Sequence, residues 1–89
     1  MNKKNLKNKE RILEKYKKDE LLFAALNRLF NLFETEEKIR EECNLSTGAW
    51  YSLIEGKARE GTRVSIIARA AAGAIIQDLV PHIVNKTSL

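Results

Sequence analysis

Asn44-Leu45-Ser46-Thr47-Gly48-Ala49-Trp50-Tyr51-Ser52-Leu53-Ile54-Glu55-Gly56-Lys57 is the stretch that decides how this chain is read. Asn44 tolerates the left-handed backbone conformation that ends a helix. Leu45 is placed to plug an apolar corner beneath the turn. Ser46 is a strong N-cap, able to accept from the first free amides of a new helix. Trp50, Leu53 and Ile54 follow at i, i+3, i+4 spacing and predict one buried face. Thr47, Gly48, Tyr51, Ser52 and Glu55 fall on the other. Gly56 closes the helix, and Lys57 sits near the negative end of its dipole. The expected product is a helix of about two to three turns with a buried side and a small, polar side of groove size.

The residues upstream predict a partner helix. Thr35 is a cap for a helix over 36–43, with Glu36 and Glu37 at its positive end. Ile39 and Cys43 are spaced to meet Leu45, Trp50 and Leu53 in one small core. Two short helices sharing a core across a tight turn form a helix-turn-helix, whose second helix enters the DNA major groove by its N-terminus.

The sequence NLSTGAWYSLIEGK resembles the DNA-binding helices of the tetracycline-repressor (TetR) family, which read Gly-Val-Ser-Lys-Gly-Ala-Leu-Tyr followed by a short apolar stretch and Lys. The correspondence runs through Leu45, Ser46, Gly48, Ala49, Tyr51 and Lys57. LLFAALNRLF, 21–30, is similar to that family's first helix. The stretch also resembles Cro and phage-repressor (Xre-like) domains, whose reading helix begins at Ser and ends in a Glu-Gly-Lys or Asn-Gly-Lys tail, as Glu55-Gly56-Lys57 does. The resemblance covers roughly half of the chain. It implies an all-α fold and a transcriptional regulator of bacterial, plasmid or phage type. Two positions depart from the pattern. Arg40 stands where the families place a small Ala at the helix crossing, and Asn44 replaces the usual Gly.

Composition narrows the alternatives. Eighty-nine residues suffice for one domain with a small core. One Pro and four Gly, with 44% hydrophobic residues, favour helices throughout. No apolar run of about eighteen residues occurs, so no membrane span is expected. The basic N-terminus lacks the apolar stretch of a secretory signal. A single cysteine allows no internal disulfide and suits a reducing cytoplasm. Cys43 reads as a small core residue. His82 is the only histidine and stands beside Pro81 without a carboxylate cluster; no Gly-rich phosphate loop or metal-ligand spacing appears. No enzyme, cofactor or metal is expected.

Charge is unevenly placed. Residues 1–18 carry eight Lys/Arg against two Glu, and residues 19–42 carry seven acids against three bases. The lysine-rich stretch reads either as an arm for DNA phosphates or as a solvated helix. The acidic stretch, with Glu34, Glu36, Glu37, Glu41 and Glu42, opposes DNA binding unless those carboxylates face away. It supports the alternative of a protein-interaction module that uses helix 36–43 and the apolar C-terminal helix.

The whole chain then divides into a basic arm or helix (1–18), a helix-turn-helix domain with a C-terminal packing and dimerisation helix (19–84), and a frayed tail (85–89). The expectation is an all-α, compact bundle of about four or five helices. They cover 7–18, 20–33, 36–43, 46–55 and, capped by Thr62, 63 to about 80 or 84. Asp19 either caps the second helix or lies inside one continuous helix from about residue 7. Glycines bracket a loop over 56–61. The last helix is apolar on more than one side, through Val64, Ile66, Ile67, Ala68, Ala70, Ala71, Ala74, Ile75, Leu79, Ile83 and Val84. Such a helix is either the centre of a monomer core or a dimer seam. The seam reading takes Ile67, Ala70, Ala71, Ala74 and Ile75 as the homodimer interface. For double-stranded DNA, geometry nominates Ser46, Thr47, Gly48, Tyr51 and Ser52 for groove and phosphate contacts, and Lys57, Arg59 and Arg63 for phosphates. The expected role is a sequence-specific regulator, a repressor, acting in the cytoplasm as a homodimer on a palindrome.

Overall fold

A computed structural model describes residues 6–72 as five helices, with no strand among them. They are α1 (Lys9–Lys15), α2 (Glu20–Leu32), α3 (Glu36–Glu42), α4 (Thr47–Ile54) and α5 (60–72). No helix among the described residues is long and apolar enough to cross a membrane. The expected continuation of α5 to about residue 80 or 84, Pro81, His82, the interface residues Ala74 and Ile75, and the 85–89 tail lie outside the described residues.

Each helix delivers a fully buried large side chain to one core: Ile12 from α1, Leu22, Leu26, Leu29 and Phe30 from α2, Ile39 from α3, Leu53 from α4 and Ile66 from α5. Burial of each is worth about 1.5–3 kcal/mol against exposure, and α2 supplies four of the eight, more than any other helix. That is why α2, with apolar residues nearly all round, becomes the central helix. Phe23 and Phe33 pack on the core as partly buried residues, while Leu21 is left 57% exposed.

The helix starts follow local capping chemistry. The Asp19 carboxylate accepts from the Leu22 amide at 3.3 Å, Thr35 Oγ1 from Lys38 at 3.1 Å and Ser46 Oγ from Ala49 at 3.1 Å. Asp19 therefore caps a separate α2, and the continuous-helix alternative is ruled out. Helix α1 is shorter than the expected 7–18. It breaks after Lys15 into turns closed by Tyr16 N–H on Leu13 O at 3.3 Å and Asp19 N–H on Tyr16 O at 3.0 Å.

Helix α5 begins three residues earlier than expected. Its first bond runs from the Arg63 amide to Arg59 O at 3.0 Å, so Thr62 lies inside the first turn, buried, instead of capping it. The physical reason is a tether on the preceding loop. The Tyr16 hydroxyl accepts from the Ala58 amide at 3.2 Å and donates to Leu53 O at 2.8 Å, which turns the chain back directly after α4.

Candidate nucleic-acid interface

Helices α3 and α4 end in matching backbone devices. Asn44 has φ 59° and Gly56 has φ 80°. Around Asn44 the Asn44 amide donates to Glu41 O (3.0 Å) and the Leu45 amide to Arg40 O (2.9 Å). Around Gly56 the Gly56 amide donates to Leu53 O (3.0 Å) and the Lys57 amide to Ser52 O (2.8 Å). Both are the paired 5→2 and 6→1 bonds of a Schellman ending. After α3 that ending delivers Leu45, buried at 8% exposure, into the core under the turn.

Arg40, the residue too large for a close helix crossing, has a positive role. Its guanidinium donates to Leu45 O at 2.9 Å and closes the α3–α4 turn from outside. Trp50 and Ile54 are each 6% exposed and Leu53 is fully buried, so α4 is pinned along that face. Cys43 is buried beside them, and burial pushes its thiol up to about 11. It is a core residue and not a nucleophile at neutral pH.

The opposite face of α4 is open. Ser46, Thr47, Gly48 and Tyr51 are exposed and Ser52 is half-buried. A β-carbon on Gly48 would meet nothing nearer than Ser46 Oγ at 4.0 Å. The fold therefore imposes no steric need for glycine there. Ser46, Gly48, Ala49 and Ser52 line an open cleft of about 330 Å³ with Arg59 and Thr62 of the following segment. Lys57 is exposed at the far end of α4. The structure thus brings Ser46, Gly48, Ser52 and Arg59 to one concave surface. Thr47 and Tyr51 line a neighbouring cleft with Lys7, Asn8, Glu36, Glu37 and Arg40.

Arg63 does not join them as a free cation. Its guanidinium forks onto Asp19, Nε to Oδ2 at 2.7 Å and an Nη to Oδ1 at 3.0 Å, and a Glu60 carboxylate lies 3.8 Å away. The bidentate fit is the one guanidinium makes best. It holds the Asp19 carboxyl below its ordinary range, and the fork ties α5 to the start of α2. The guanidinium expected to hold a phosphate is thus paired with Asp19 within the fold.

Ala70, expected at the dimer seam, lies inward, 4% exposed in the molecule's own core. Helical phase explains it: Ala70 follows the fully buried Ile66 by four residues. Ile67 is half-buried and Ala71 exposed. Both line an apolar groove between α2 and α5 with Leu21, Ala24, Ala25, Arg28 and Ala70.

The acidic residues are partly absorbed. Glu36 turns inward, accepting from the Asn8 amide, from Asn8 Nδ2 at 2.9 Å and from Trp50 Nε1 at 3.3 Å. Glu42 accepts twice from Arg69, at 2.9 and 2.8 Å, and lies 3.4 Å from the Lys38 ammonium. Arg69 also stands 5.5 Å over the Phe33 ring. Glu37 and Glu41 remain exposed. Sequence reasoning missed Lys7 and Asn8 at this surface, because a bond spanning 28 positions, Asn8 to Glu36, leaves no local signal. Among the described residues no group of three His, Cys, Asp or Glu could hold a metal ion.

Comparison of the chain with protein-family models, curated proteins and solved structures yields no match.

Proposed function

We propose that this chain is a sequence-specific, double-stranded-DNA-binding regulator, a repressor, that reads the major groove with α4 of an α3–α4 helix-turn-helix. The observation that carries the reading is the outer face of α4. Around Gly48 it is small, polar and open for no reason internal to the fold, on a helix whose other face is fixed by Trp50, Leu53 and Ile54. Free amides at its N-terminus suit phosphate, Thr47 reaches a base edge, and Tyr51 and Ser52 flank the groove. Lys57 and Arg59 hold the backbone on either side.

The regulator acts as a homodimer. Val64, 53% exposed, with Ile67 and Ala71 gives α5 an outward apolar stripe. Pairing along it sets two copies of α4 on one palindrome, about 34 Å apart for half-sites one turn apart.

Selection from a random duplex pool at two salt concentrations tests the reading. The expected result is an enriched palindrome. Gly48→Ala is the diagnostic variant: its thermal midpoint stays at or above that of the wild type, since Ala favours a helix, while affinity for the selected duplex falls at least tenfold. A pool that enriches nothing, or a Gly48→Ala protein that binds unchanged, refutes α4 as the reading helix.

A second reading is a protein-interaction module. The apolar α2–α5 groove and the exposed Glu37 and Glu41 favour it, and it takes over if the pool shows no enrichment.

A further inference from the structure

The flank of α4 that meets α5 carries the cleft lined by Ser46, Gly48, Ala49, Ser52, Arg59 and Thr62. Three of these residues bear hydroxyls, one bears a guanidinium and none is a carboxylate. Thr62 is only 8% exposed, yet no hydrogen bond holds its hydroxyl to another described residue. A hydroxyl withdrawn from bulk water ordinarily finds a partner, and the cleft is the side from which one can reach it. Arg59, at the position before α5, is exposed and makes no ion pair with a described residue. It differs in this from Arg63, one turn on, whose guanidinium is taken by Asp19. An arginine side chain has no acceptor, so α5 starts without the side-chain cap that Asp19, Thr35 and Ser46 give α2, α3 and α4. Its positive end therefore stays open beside the cleft. The acid nearest this start, Glu60, lies 3.8 Å from Arg63 and does not line the cleft. On the opposite flank of α4, the cleft lined by Thr47 and Tyr51 holds Glu36 and Glu37.

We propose that the α4–α5 cleft is the seat of one phosphodiester of the bound duplex, with Arg59 supplying the charge and the Thr62 hydroxyl a directed hydrogen bond. The proposal rests on the DNA-binding reading above. It adds Thr62 as a contact and fixes which flank of α4 meets that phosphate. The chemistry matches on both sides. Phosphate oxygens only accept, the Thr62 hydroxyl has a proton to give, and the N–H groups of Arg59 are uncommitted. The hydroxyls of Ser46 and Ser52 complete a wall that carries no opposing charge. Such a contact reads no base itself. It sets the depth and register at which α4 presents Thr47 and Tyr51 to base edges. Inorganic phosphate offers the same oxygens, so duplex and free anion are probed separately.

The test uses the full chain, the duplex selected from the random pool, and ethylation of single phosphates along that duplex, which removes one backbone charge at a time. Thr62→Val keeps the branched shape and deletes the hydroxyl. Its thermal midpoint is expected at or above that of the wild type, because no hydrogen bond within the fold is lost. Its affinity for the duplex is expected to fall about tenfold, the scale of one charge-assisted hydrogen bond. Arg59→Ala changes an exposed side chain and is expected to flatten the slope of log K against log salt by about 0.9, whereas Thr62→Val leaves that slope unchanged. Both variants are expected to become insensitive to ethylation at the same phosphate of each half-site, and Lys57→Ala at a different one. Insensitivity at different phosphates in Thr62→Val and Arg59→Ala, or an unaltered ethylation pattern in either, would overturn the proposal. Inorganic phosphate is titrated into the wild type at constant ionic strength and followed at the Thr62 amide signal. If it saturates that signal while Thr62→Val binds the duplex unchanged, the cleft holds a free anion and the duplex seat is refuted. A wild type that binds no duplex refutes the DNA-binding reading and this proposal with it; duplex binding that is blind to Thr62 refutes the proposal alone.

Discussion

The Tyr16 hydroxyl satisfies two backbone groups on other elements, the Leu53 carbonyl at 2.8 Å and the Ala58 amide at 3.2 Å. Both belong to the end of α4 and the loop after it, where helix carbonyls lose their intrahelical donors. Tyr16→Phe keeps the ring and removes only the hydroxyl. It is expected to cost about 1–2 kcal/mol, since two part-buried groups lose a partner at once, and urea unfolding measures it. A loss below about 0.5 kcal/mol would show that water replaces the hydroxyl at no cost. The same site has an alkaline sign. Burial raises the Tyr16 hydroxyl above its ordinary 10.0 and the Cys43 thiol from 9.0 to about 11. A raised group stabilises the fold below its unfolded value, and that contribution is lost as pH climbs through the folded one. Stability is therefore expected to decline above pH 9.0, first through Cys43.

At the scale of elements, the caps were readable because they are local. Asp19, Thr35 and Ser46 each bond an amide three residues on, and Asn44 and Gly56 each occupy the one left-handed position their turns require. The face of α4 was readable for the same reason, as period alone assigns Trp50, Leu53 and Ile54 inward. The start of α5 was not. Thr62 has the right chemistry for a cap, but a tether from Tyr16 to Ala58, 42 positions apart, sets where the helix begins. The partners of Arg63 and Glu36 were not legible either, since only the fold brings Asp19 and Trp50 near them. The α5 face was half legible. Its composition is apolar on several sides, and phase against α2 decides that Ile66 and Ala70 go inward while Ala71 goes out. Neighbouring substitutions should separate the two. Ala70→Glu places a carboxylate in the core without a partner and is expected to cost several kcal/mol, on the order of the 3–5 for an uncompensated buried charge; circular dichroism would show lost helicity. Ala71→Glu is expected to keep the helical spectrum and melting cooperativity and to shift the sizing profile from dimer to monomer. A folded Ala70→Glu protein would contradict the core placement, and a monomeric wild type would end the dimer reading.

Across the whole molecule, two forked ion pairs bind α5 to distant parts of the bundle. Arg63–Asp19 reaches the start of α2, and Arg69–Glu42 reaches the end of α3. α5 contributes little to the core before residue 72 beyond Ile66 and Ala70, with Ile67 at its edge, so these pairs also orient the helix that carries the proposed dimer stripe. Each carboxyl is held below its ordinary value chiefly by hydrogen bonds from its arginine, Asp19 below 3.8 and Glu42 below 4.5. A depressed group stabilises the fold above its unfolded value, and that stabilisation is lost as pH falls through the lower folded value. The wild-type melting temperature is therefore expected to drop as pH falls through 4.5 and 3.8 and below. The pairs are about a third exposed, so added salt should blunt the effect. Asp19→Asn with Glu42→Gln isolates the cause, because Asn is as good an N-cap as Asp and leaves the start of α2 intact. This double variant is expected to melt lower than the wild type at neutral pH and to show a flatter acid dependence, so that the two curves converge at low pH. Parallel curves would place the acid lability in other carboxylates and reduce the two forks to surface contacts without consequence for how α5 is held.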